Sequence, residues 1–504
     1  MGLASVAVYS DCDRHALHVR LADEACWIGS DQASESYLRV DKLIDAARTS
    51  GADALHPGYG FLAEHPEFAE ACMRAGITFI GPSADAMAMM GSKTGARQAA
   101  IRAGVPVVPG SEQSFGPDTD AAALREAAAT IGYPLLVKAV VGGGGKGMRS
   151  VRNETELASA VQMARSEARS AFGDATVYFE RLLERPRHVE VQLLGDQHGA
   201  VLPFVERECS IQRRHQKLIE ETPAPTVSPS LRAELAKAAD AIGRAVAYTS
   251  AGTIEFLLDS EGRYYFLEMN TRLQVEHPVT EAVTGVDFVR AQIEIAQGTP
   301  MAELKLGTTD AAATDAATAG APVGRDFSRA VGHAIECRIY AEDPEHGFLP
   351  SPGLITHLRP ASGPGIRDDN GAQAGWVVPT SYDPLISKVI AWAPDRAGAI
   401  RRMVRALTEY DVRGIKTTIG FCRWLLEMPA FRSGEYDTTT VDRLVNDYAK
   451  IAGERDIELE ELAAIGAAFH LHRAASRTQA LRPAARAERE SLWARQARLE
   501  NLRG

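Results

Sequence analysis

Short apolar runs alternate with amphipathic segments through residues 1–91. The runs SVAVYS, EACWIG, ADALH and ITFIGPS have the length and composition of strands. Between them the spacing of apolar residues predicts helices over 37–50 and 64–76. This β-α-β alternation indicates a parallel sheet covered by helices, and hence an α/β fold.

Longer strands and a hairpin follow. Helices are predicted over 93–103, 119–131 and 229–248, and strands at YPLLVKAV, TVYFERLL, HVEVQLLG and AVLPFVERE. The runs TIEFLLD and YYFLEMN, separated by SEGR, predict a β-hairpin. The architecture is therefore partly α+β, since consecutive strands here have no helix between them.

Two segments differ in composition from the rest. Residues 307–324 are low-complexity Ala, Thr and Gly, which is typical of a flexible insertion. Mixed strands and helices resume over 330–445. From about 446 a helical tail is predicted, with apolar Leu459, Leu462, Ile465 and Phe469 at helical spacing and a basic end.

Composition excludes several classes of protein. The 504 residues carry a net charge of −11, which argues against general nucleic-acid binding. A run of about 18 apolar residues, as a membrane span needs, is absent from the sequence. The six cysteines are scattered and the first residues lack a signal-peptide pattern, so we expect reduced thiols in the cytoplasm.

A glycine tract is the first candidate for chemistry. Residues 142–145 are all glycine, and Lys138 and Lys146 flank them. Backbone amides of such a tract can approach a phosphate closely, and the lysines add positive charge. The tract fits neither a P-loop, since Gly147 follows Lys146, nor a dinucleotide-binding turn. A flexible loop with a solvated lysine is the alternative.

The hairpin predicts a cation site. If Glu261 and Gly262 form a two-residue loop, Glu255 faces Glu268 across the two strands. Two facing carboxylates repel each other unless a cation such as Mg²⁺ binds both. Strand alternation adds Asn270 on the same face. A longer loop would shift this register by one, and a solvated outer face is the alternative.

Alternation predicts that the polar face continues beyond the hairpin. Arg272, Gln274 and Glu276 would lie on one side of the strand until His277-Pro278 ends it. Arg272 is suited to holding a small oxyanion, and Glu276 to acting as a general base if its surroundings raise its pKa. A surface ladder of ion pairs is the alternative interpretation.

Three further polar segments allow both functional and structural interpretations. The charged segment 206–217 could grip ribose, phosphate or a carboxylate, but a solvated loop is the simpler interpretation. His188 in RHVEVQ fits a core or edge histidine. Glu336 and Arg338 share one strand face of AIECRIYAEDP, where a lone arginine is more often structural.

Taken together, these segments resemble biotin carboxylase, the ATP-grasp component of biotin-dependent carboxylases. The resemblance covers residues 4–445 in the family's order. It is carried by HPGYGFLAE (56–64), GSK (91–93), KAVVGGGGKGMR (138–149), RHVEVQ (187–192), ERECSIQRRHQKLIEE (206–221), EMNTRLQVEHPVTE (268–281), GHAIECRIYAEDP (332–344), LPSPG (349–353) and SYDPLISK (381–388).

The resemblance implies a division of the chain. A Rossmann-like N-terminal domain would span 1–91 without the family's first strand, and an ATP-grasp domain 92–305 with a mobile lid at about 110–185. An insertion at 306–326, a biotin carboxylase C-terminal domain at 327–445 and a helical basic tail at 446–504 would follow.

The resemblance also implies roles for individual residues. Nucleotide-binding positions match Lys93, Lys138, Gly143, Gly144, Gly145, Glu180, Leu183, His188, Gln212 and His215. Ligands of two Mg²⁺ or Mn²⁺ ions match Glu255, Glu268 and Asn270. Bicarbonate positions match Lys217, Arg272, Gln274, Val275 and Glu276, and biotin positions match Arg338 and Asp383. Of these, Lys217, Arg272, Glu276 and Arg338 match catalytic residues.

These matches imply a ligase that carboxylates biotin through carboxyphosphate. The sequence has no biotinylation motif, so biotin would come from a separate carrier protein and a carboxyltransferase would complete an acyl-CoA or 2-oxo-acid carboxylase. Family members commonly form homodimers. Rival interpretations are another ATP-grasp ligase, of carbamoyl-phosphate or peptide type, and a truncated, inactive or partner-dependent scaffold.

Overall fold

A computed structural model describes residues 1–140, 147–304, 306 and 326–480, except the side chains of Phe172, 453–461 and 473–480. The predicted insertion at 307–324, the glycines 143–145 and the tail beyond 480 lie outside the described residues. The chain divides into two compact units, residues 1–445 and 446–504.

Residues 1–91 form small parallel sheets flanked by helices. β1 pairs only with β2, and β3 only with β4. The single sheet predicted from β-α-β alternation is therefore two separate pairs among the described residues, although the parallel pairing is confirmed. The elements are β1 Val6–Ser10, α1 Leu17–Leu21, β2 Glu24–Gly29, α2 Val40–Ser50, β3 Ala54–Leu55, α3 Pro66–Arg74, β4 Thr78–Phe79 and α4 Ala84–Gly91.

A small three-stranded sheet, in the order β6-β5-β7, forms the next layer. Apolar side chains of α6 and α7 pack against it, with Leu135, Val137 and Phe179 fully buried. The Ser92 hydroxyl caps α5 by accepting from the Gly95 amide. The elements are α5 Lys93–Arg102, α6 Ala121–Ile131, β5 Leu135–Ala139, β6 Met148–Val151, α7 Glu154–Phe172 and β7 Val177–Arg181.

A nine-stranded antiparallel sheet dominates the larger unit. Its order is β13-β12-β8-β10-β11-β14-β21-β19, with β9 paired to β8. The pairing of β11 with β14 makes the sheet continuous across residue 327. Its first elements are β8 Arg187–Gly195, β9 Val201–Pro203, β10 Arg207–Arg213, β11 Gln216–Thr222, α8 Pro229–Ala245, β12 Ser250–Leu258, β13 Tyr264–Asn270, α9 His277–Thr284 and α10 Phe288–Ala296.

The remaining elements complete this sheet and add short strand pairs. They are β14 His333–Tyr340, β15 Glu342–Asp343, β16 Leu349–Pro350, β17 Gly353–Leu354, β18 His357–Arg359, β19 Ile366–Asn370, β20 Val377–Val378, β21 Leu385–Ala393, α11 Arg396–Glu409, β22 Asp411–Arg413, α12 Ile419–Glu427, α13 Pro429–Ser433 and α14 Thr440–Ala480.

The main core lies on one face of the large sheet. Val189 and Val191 of β8 and Ile254 of β12 pack there against α5 and α8, where Leu235 and Ile242 are fully buried. Because side chains alternate along a strand, the residues between them point to the opposite face. That opposite face carries the polar side chains described next.

Candidate active site

Polar residues on the second face of the large sheet are buried rather than solvated. His188, Glu190 and Gln192 alternate along β8, and Thr253 and Glu255 along β12, each less than a tenth exposed. Glu190 and Glu255 are register partners. Buried carboxylates side by side need nearby cations.

Lys217 supplies the central positive charge. Its Nζ atom lies 2.6 Å from Glu190 Oε2, 2.9 Å from Glu255 Oε1 and 2.6 Å from Glu276 Oε1. Burial opposes the charged form of Lys217, but the three carboxylates outweigh burial and raise the pKa well above its ordinary value. The ammonium is therefore charged at neutral pH.

Burial of Lys217 contradicts the interpretation of residues 206–217 as a solvated loop. The segment forms much of the β10–β11 hairpin, and its turn is at Arg214 and His215, both with positive φ. Burial of β10 between β8 and β11 requires its charged side chains to find partners. Pairing with carboxylates distant in the sequence makes that burial possible.

Glu276 joins Lys217 to Arg338. Its Oε1 accepts from Lys217, and its Oε2 accepts from Arg338 Nη2 at 2.9 Å. Burial favours the neutral form, but the charges of Lys217 and Arg338 hold the pKa of Glu276 well below its usual range. The carboxyl group is thus ionised, but the raised pKa expected of a general base is not found at Glu276, because two cations stabilise its charged form.

The strand predicted to continue through Glu276 ends at Asn270. Residues 271–276 are irregular, and α9 begins at His277 with Pro278 in its first turn. Proline has the φ of a helix and lacks the amide that a strand would use, so it favours this change. Strand alternation therefore cannot explain how residues 272–276 are placed.

Residues 270–274 nevertheless surround one carboxylate. Asn270 Nδ2 and Gln274 Nε2 each lie 2.9 Å from Glu255 Oε1. Arg272 donates through Nη2 to Asn270 Oδ1 at 3.1 Å. Val275 contributes its carbonyl oxygen, which accepts from Lys388 Nζ at 3.0 Å. The predicted bicarbonate residues thus lie around Glu255 and Glu276.

The predicted pairing of Glu255 with Glu268 is confirmed, although the loop is longer than expected. The connection spans 259–263, which alone would shift the register. A β-bulge after Glu255 offsets the shift, so Glu255 pairs with Glu268 while Phe256 pairs with Phe266. Sequence spacing gave the correct pair through an incorrect loop.

The hairpin residues fit a hard divalent cation by their donor chemistry. Glu255, Glu268 and Asn270 offer carboxylate and amide oxygens, which Mg²⁺ prefers. A second group in the described residues, His188, Glu190 and Glu255, also brings ligand atoms within 4.8 Å of one another. Lys217 binds Glu190 and Glu255 of that group, and Glu255 belongs to both sets.

Three of the predicted nucleotide residues, Lys93, Lys138 and Glu180, lie near the small sheet. Lys138 Nζ donates to Glu180 Oε2 at 2.9 Å, and Lys93 Nζ lies 3.4 Å from the Ala139 carbonyl oxygen. Burial lowers the pKa of Lys93. Leu183 lies in the irregular segment after β7.

On the large sheet the nucleotide residues lie beside the carboxylates. His188 Nε2 is 3.1 Å from Glu255 Oε2, and Gln212 Nε2 is 3.5 Å from His188 Nδ1. Burial lowers the pKa of His188, but the charge of Glu255 outweighs it and the net shift is upward. His188 is therefore a buried histidine that contacts a carboxylate of the cluster. His215 lies at an exposed turn.

Arg338 and Asp383, the predicted biotin residues, differ in their surroundings. Arg338 is buried and donates through Nε to Glu220 Oε1 at 2.6 Å, in addition to its bond with Glu276. Asp383 is exposed, and its Oδ1 accepts from the Leu385 amide at 2.9 Å. The structure brings Arg338, but not Asp383, into the ion-pair cluster.

Four charged residues of the cluster were not singled out from the sequence. They are Glu64, Glu190, Arg207 and Glu220. Alternation of HVEVQ was a signal for Glu190. Glu64 had no such signal, because its bond to Arg272 Nε, at 2.9 Å, joins residues 208 positions apart. Partners so distant in sequence emerge only from the fold.

Profiles of known protein families match most of the larger unit. Residues 1–87 match the profile "Biotin carboxylase, N-terminal domain" and residues 336–443 the profile "Biotin carboxylase C-terminal domain". Residues 92–304 match "Carbamoyl-phosphate synthase L chain, ATP binding domain".

Similar proteins agree with the profiles. A biotin carboxylase of Nostoc sp. is 49% identical over 88% of this chain and 94% of its own. A pyruvate carboxylase subunit from Methanothermobacter thermautotrophicus is 48% identical over 88% and 85%. The biotin carboxylase domain dimer of Hydrogenobacter thermophilus 2-oxoglutarate carboxylase, solved with MgADP, ADP and bicarbonate, superimposes with a TM-score of 0.81 at 41% identity, covering 89% and 93%.

Among the described helices none combines the length and apolarity of a bilayer span. The mixed α/β architecture and the three profiles confirm the expected three-domain fold. The relative named biotin carboxylase is matched over 94% of its length, and the profiles include the ATP-binding domain of a synthase. This chain belongs to the biotin carboxylase family of ATP-grasp ligases.

Proposed function

We propose that this chain carboxylates biotin on a separate carrier protein, consuming ATP and bicarbonate in the presence of Mg²⁺ or Mn²⁺. The observation that carries the proposal is the buried chain Lys217–Glu276–Arg338, in which one ionised carboxylate links two cations. Such a group can take a proton from an anionic substrate that the cations attract. A relative solved with MgADP, ADP and bicarbonate supports the choice of substrates.

In the first step bicarbonate is bound and deprotonated. Arg272 and the amides of Gln274 and Val275 orient the anion, Lys217 offsets its charge, and Glu276 accepts its proton. The bicarbonate oxygen then attacks the γ-phosphorus, so a P–O bond forms as the bond to ADP breaks. Two cations held by Glu255, Glu268 and Asn270 would supply charge neutralisation at the phosphates.

In the second step carboxyphosphate breaks down to CO₂ and phosphate. The phosphate takes the N1′ proton of biotin, Arg338 stabilises the resulting enolate, and nitrogen attacks CO₂ to form the C–N bond. Asp383 would position the biotin ring from the rim. Exclusion of water by a lid at about 110–185 would protect the labile intermediate.

The nucleotide would lie between the small sheet and the large sheet. Its proposed contacts are Lys93, Lys138, Gly143, Gly144, Gly145, Glu180, Leu183, His188, Gln212 and His215. The positions of the profile matches support domain boundaries near residues 91 and 327, although the large sheet is continuous across the second.

The partners would be a biotin carboxyl carrier protein and carboxyltransferase subunits, with the chain itself as a homodimer. Named relatives serve different acceptors, pyruvate in one case and 2-oxoglutarate in another. An acyl-CoA such as acetyl- or propionyl-CoA, or a 2-oxo acid, is therefore the proposed acceptor class. The described cysteines are all free thiols, which suits a cytoplasmic complex.

The decisive experiment measures bicarbonate-dependent ATP cleavage with Mg²⁺, with and without free biotin. We expect biotin-stimulated turnover, and a loss of about 10²–10⁴-fold in Glu276→Gln without loss of ATP binding, as for removal of a general base. Glu281→Gln, on α9 just after Glu276 but paired with Arg367, is the matched control and should remain active.

Two results would contradict the proposal. A folded, ATP-binding chain that cleaves no ATP with bicarbonate would favour the inactive scaffold. Full activity in Glu276→Gln would remove Glu276 from the role of base while leaving the overall reaction intact.

A further inference from the structure

Arg207, on β10, is a fully buried arginine whose five N–H groups all have acceptors. Its exposure is 0%. Nε donates to Glu190 Oε1 at 2.5 Å, Nη1 to Gln192 Oε1 at 2.9 Å and Thr280 Oγ1 at 3.1 Å, and Nη2 to Thr253 Oγ1 at 3.1 Å and Gln274 Oε1 at 2.7 Å. So complete a set of bonds fixes the position of every acceptor.

The contact with Gln274 determines which way its side-chain amide points. A guanidinium group has donors only, so the group facing Arg207 Nη2 must be the amide oxygen of Gln274. The amide nitrogen then faces the opposite direction, 2.9 Å from Glu255 Oε1. A bound anion needs a donor at that position, and a flipped amide would present an oxygen and repel it.

The contact with Glu190 determines the charge around Lys217. Lys217 binds three carboxylates, and one lysine with three carboxylates has a net charge of −2. Arg207 binds the second oxygen of Glu190, and Arg338 binds Glu276, so these two guanidinium groups together offset the excess. Loss of the Arg207 guanidinium would leave a buried carboxylate undercompensated and would make the pocket less favourable for a second anion.

We propose that Arg207 is a positioning residue for the bicarbonate pocket, acting through the amide of Gln274 and the carboxylate of Glu190. This inference rests on the proposed function. Arg207 bonds neither Lys93 nor Lys138, whereas its bonds to Gln274 and Glu190 reach residues that contact Glu255 and Lys217. Its effect should therefore fall on bicarbonate and spare ATP.

The test is Arg207→Lys in the full chain, with steady-state kinetics of ATP cleavage. Lysine keeps the charge but cannot span five acceptors from one nitrogen. We expect KM for bicarbonate to rise about tenfold or more, as for the loss of charge-assisted hydrogen bonds, and KM for ATP to change less than about twofold.

Arg396→Lys is the matched control. Arg396 makes four hydrogen bonds, two to Glu221 and two to backbone carbonyl oxygens, but touches no residue proposed for bicarbonate. It should leave both KM values close to wild type. Equal effects of the two variants on both substrates would show a purely structural role and overturn the inference.

A double variant tests the route through Gln274. If Arg207 acts by orienting that amide, Arg207→Lys should add little to the KM change already caused by Gln274→Ala. Fully additive effects would overturn this route. Should Arg207→Lys fail to fold, Thr253→Val removes one acceptor of the same Nη2 group, and KM for bicarbonate should still rise severalfold. An unchanged value would overturn the inference.

Failure of the inference can be told apart from failure of the function. A wild-type chain with bicarbonate-dependent activity and a normal KM for bicarbonate in Arg207→Lys would reject the role of Arg207 alone. A folded wild-type chain without that activity would reject the proposed function, and this inference with it.

Discussion

Adjacent glutamates on β11 show how strongly single-residue environments differ. Glu220 accepts one bond from Arg338 and faces Glu336 as its register partner on β14. Burial raises the pKa of Glu220 to about 7 in spite of Arg338. Burial would also raise the pKa of Glu221, but bonds from His333 and Arg396 lower it to about 2. One strand thus carries carboxyl groups of opposite shift.

These shifts predict opposite effects of pH on stability. The folded-state pKa of Glu220 is raised. Its contribution to the free energy of unfolding is therefore present below about pH 4.5 and is lost as pH rises towards 7. The folded-state pKa of Glu221 is lowered. Its contribution to the free energy of unfolding is therefore present above about pH 4.5 and is lost as pH falls towards 2. Each contribution is on the order of 3 kcal/mol.

Urea unfolding of Glu220→Gln and Glu221→Gln at several pH values checks both signs. Glu220→Gln should remove the loss of unfolding free energy that the wild type shows between pH 5 and 7. Glu221→Gln should instead be destabilised near pH 7 and approach the wild type in acid. The same trend in both variants would contradict the assigned shifts.

At the scale of elements, the hairpin β12–β13 depends on its loop. Asp259 accepts from the amides of Glu261 and Arg263 and from the Arg263 guanidinium. Gly262 has a φ of +80°, a left-handed conformation that glycine adopts at little cost. Loop and bulge together hold Glu255 opposite Glu268.

Loss of these loop bonds should weaken cation binding as well as stability. Asp259→Ala is expected to lower the free energy of unfolding by about 1–3 kcal/mol and to raise the Mg²⁺ concentration that half-maximal ATP cleavage requires. Glu261→Ala, whose side chain is exposed, is the control. Normal Mg²⁺ dependence in a destabilised Asp259→Ala chain would uncouple the loop from the proposed metal site.

At the scale of the whole larger unit, the N-terminal segment contacts the C-terminal segment beside the site. The Tyr382 ring packs edge-on against Tyr37 and Phe61, and its hydroxyl donates to Ser10 Oγ at 2.8 Å. Glu64, from the same N-terminal segment, binds Arg272. Residues far apart along the chain are therefore held together, and one of them, Glu64, reaches the ion-pair cluster.

The aromatic contact predicts a selective change in biotin use. Tyr382→Ala should lower the free energy of unfolding by about 2–4 kcal/mol and raise KM for free biotin, because Asp383 is the next residue. KM for ATP should stay near wild type. Arg20→Ala removes only an exposed bond to Gln373 and should cost less than about 0.5 kcal/mol. Unchanged KM for biotin in Tyr382→Ala would argue against a biotin role for this segment.

The sequence by itself determined element types, the facing acids of the hairpin, the shared face of Glu336 and Arg338, and the family. These depend on local periodicity and on residue identity. Tertiary structure decided that 206–217 is buried, that the chain leaves the strand after Asn270, and that Arg207 and Glu64 join the cluster around Lys217. Burial of a charge is favourable only with its partner in place, and those partners lie on strands that the fold, rather than sequence spacing, makes neighbours.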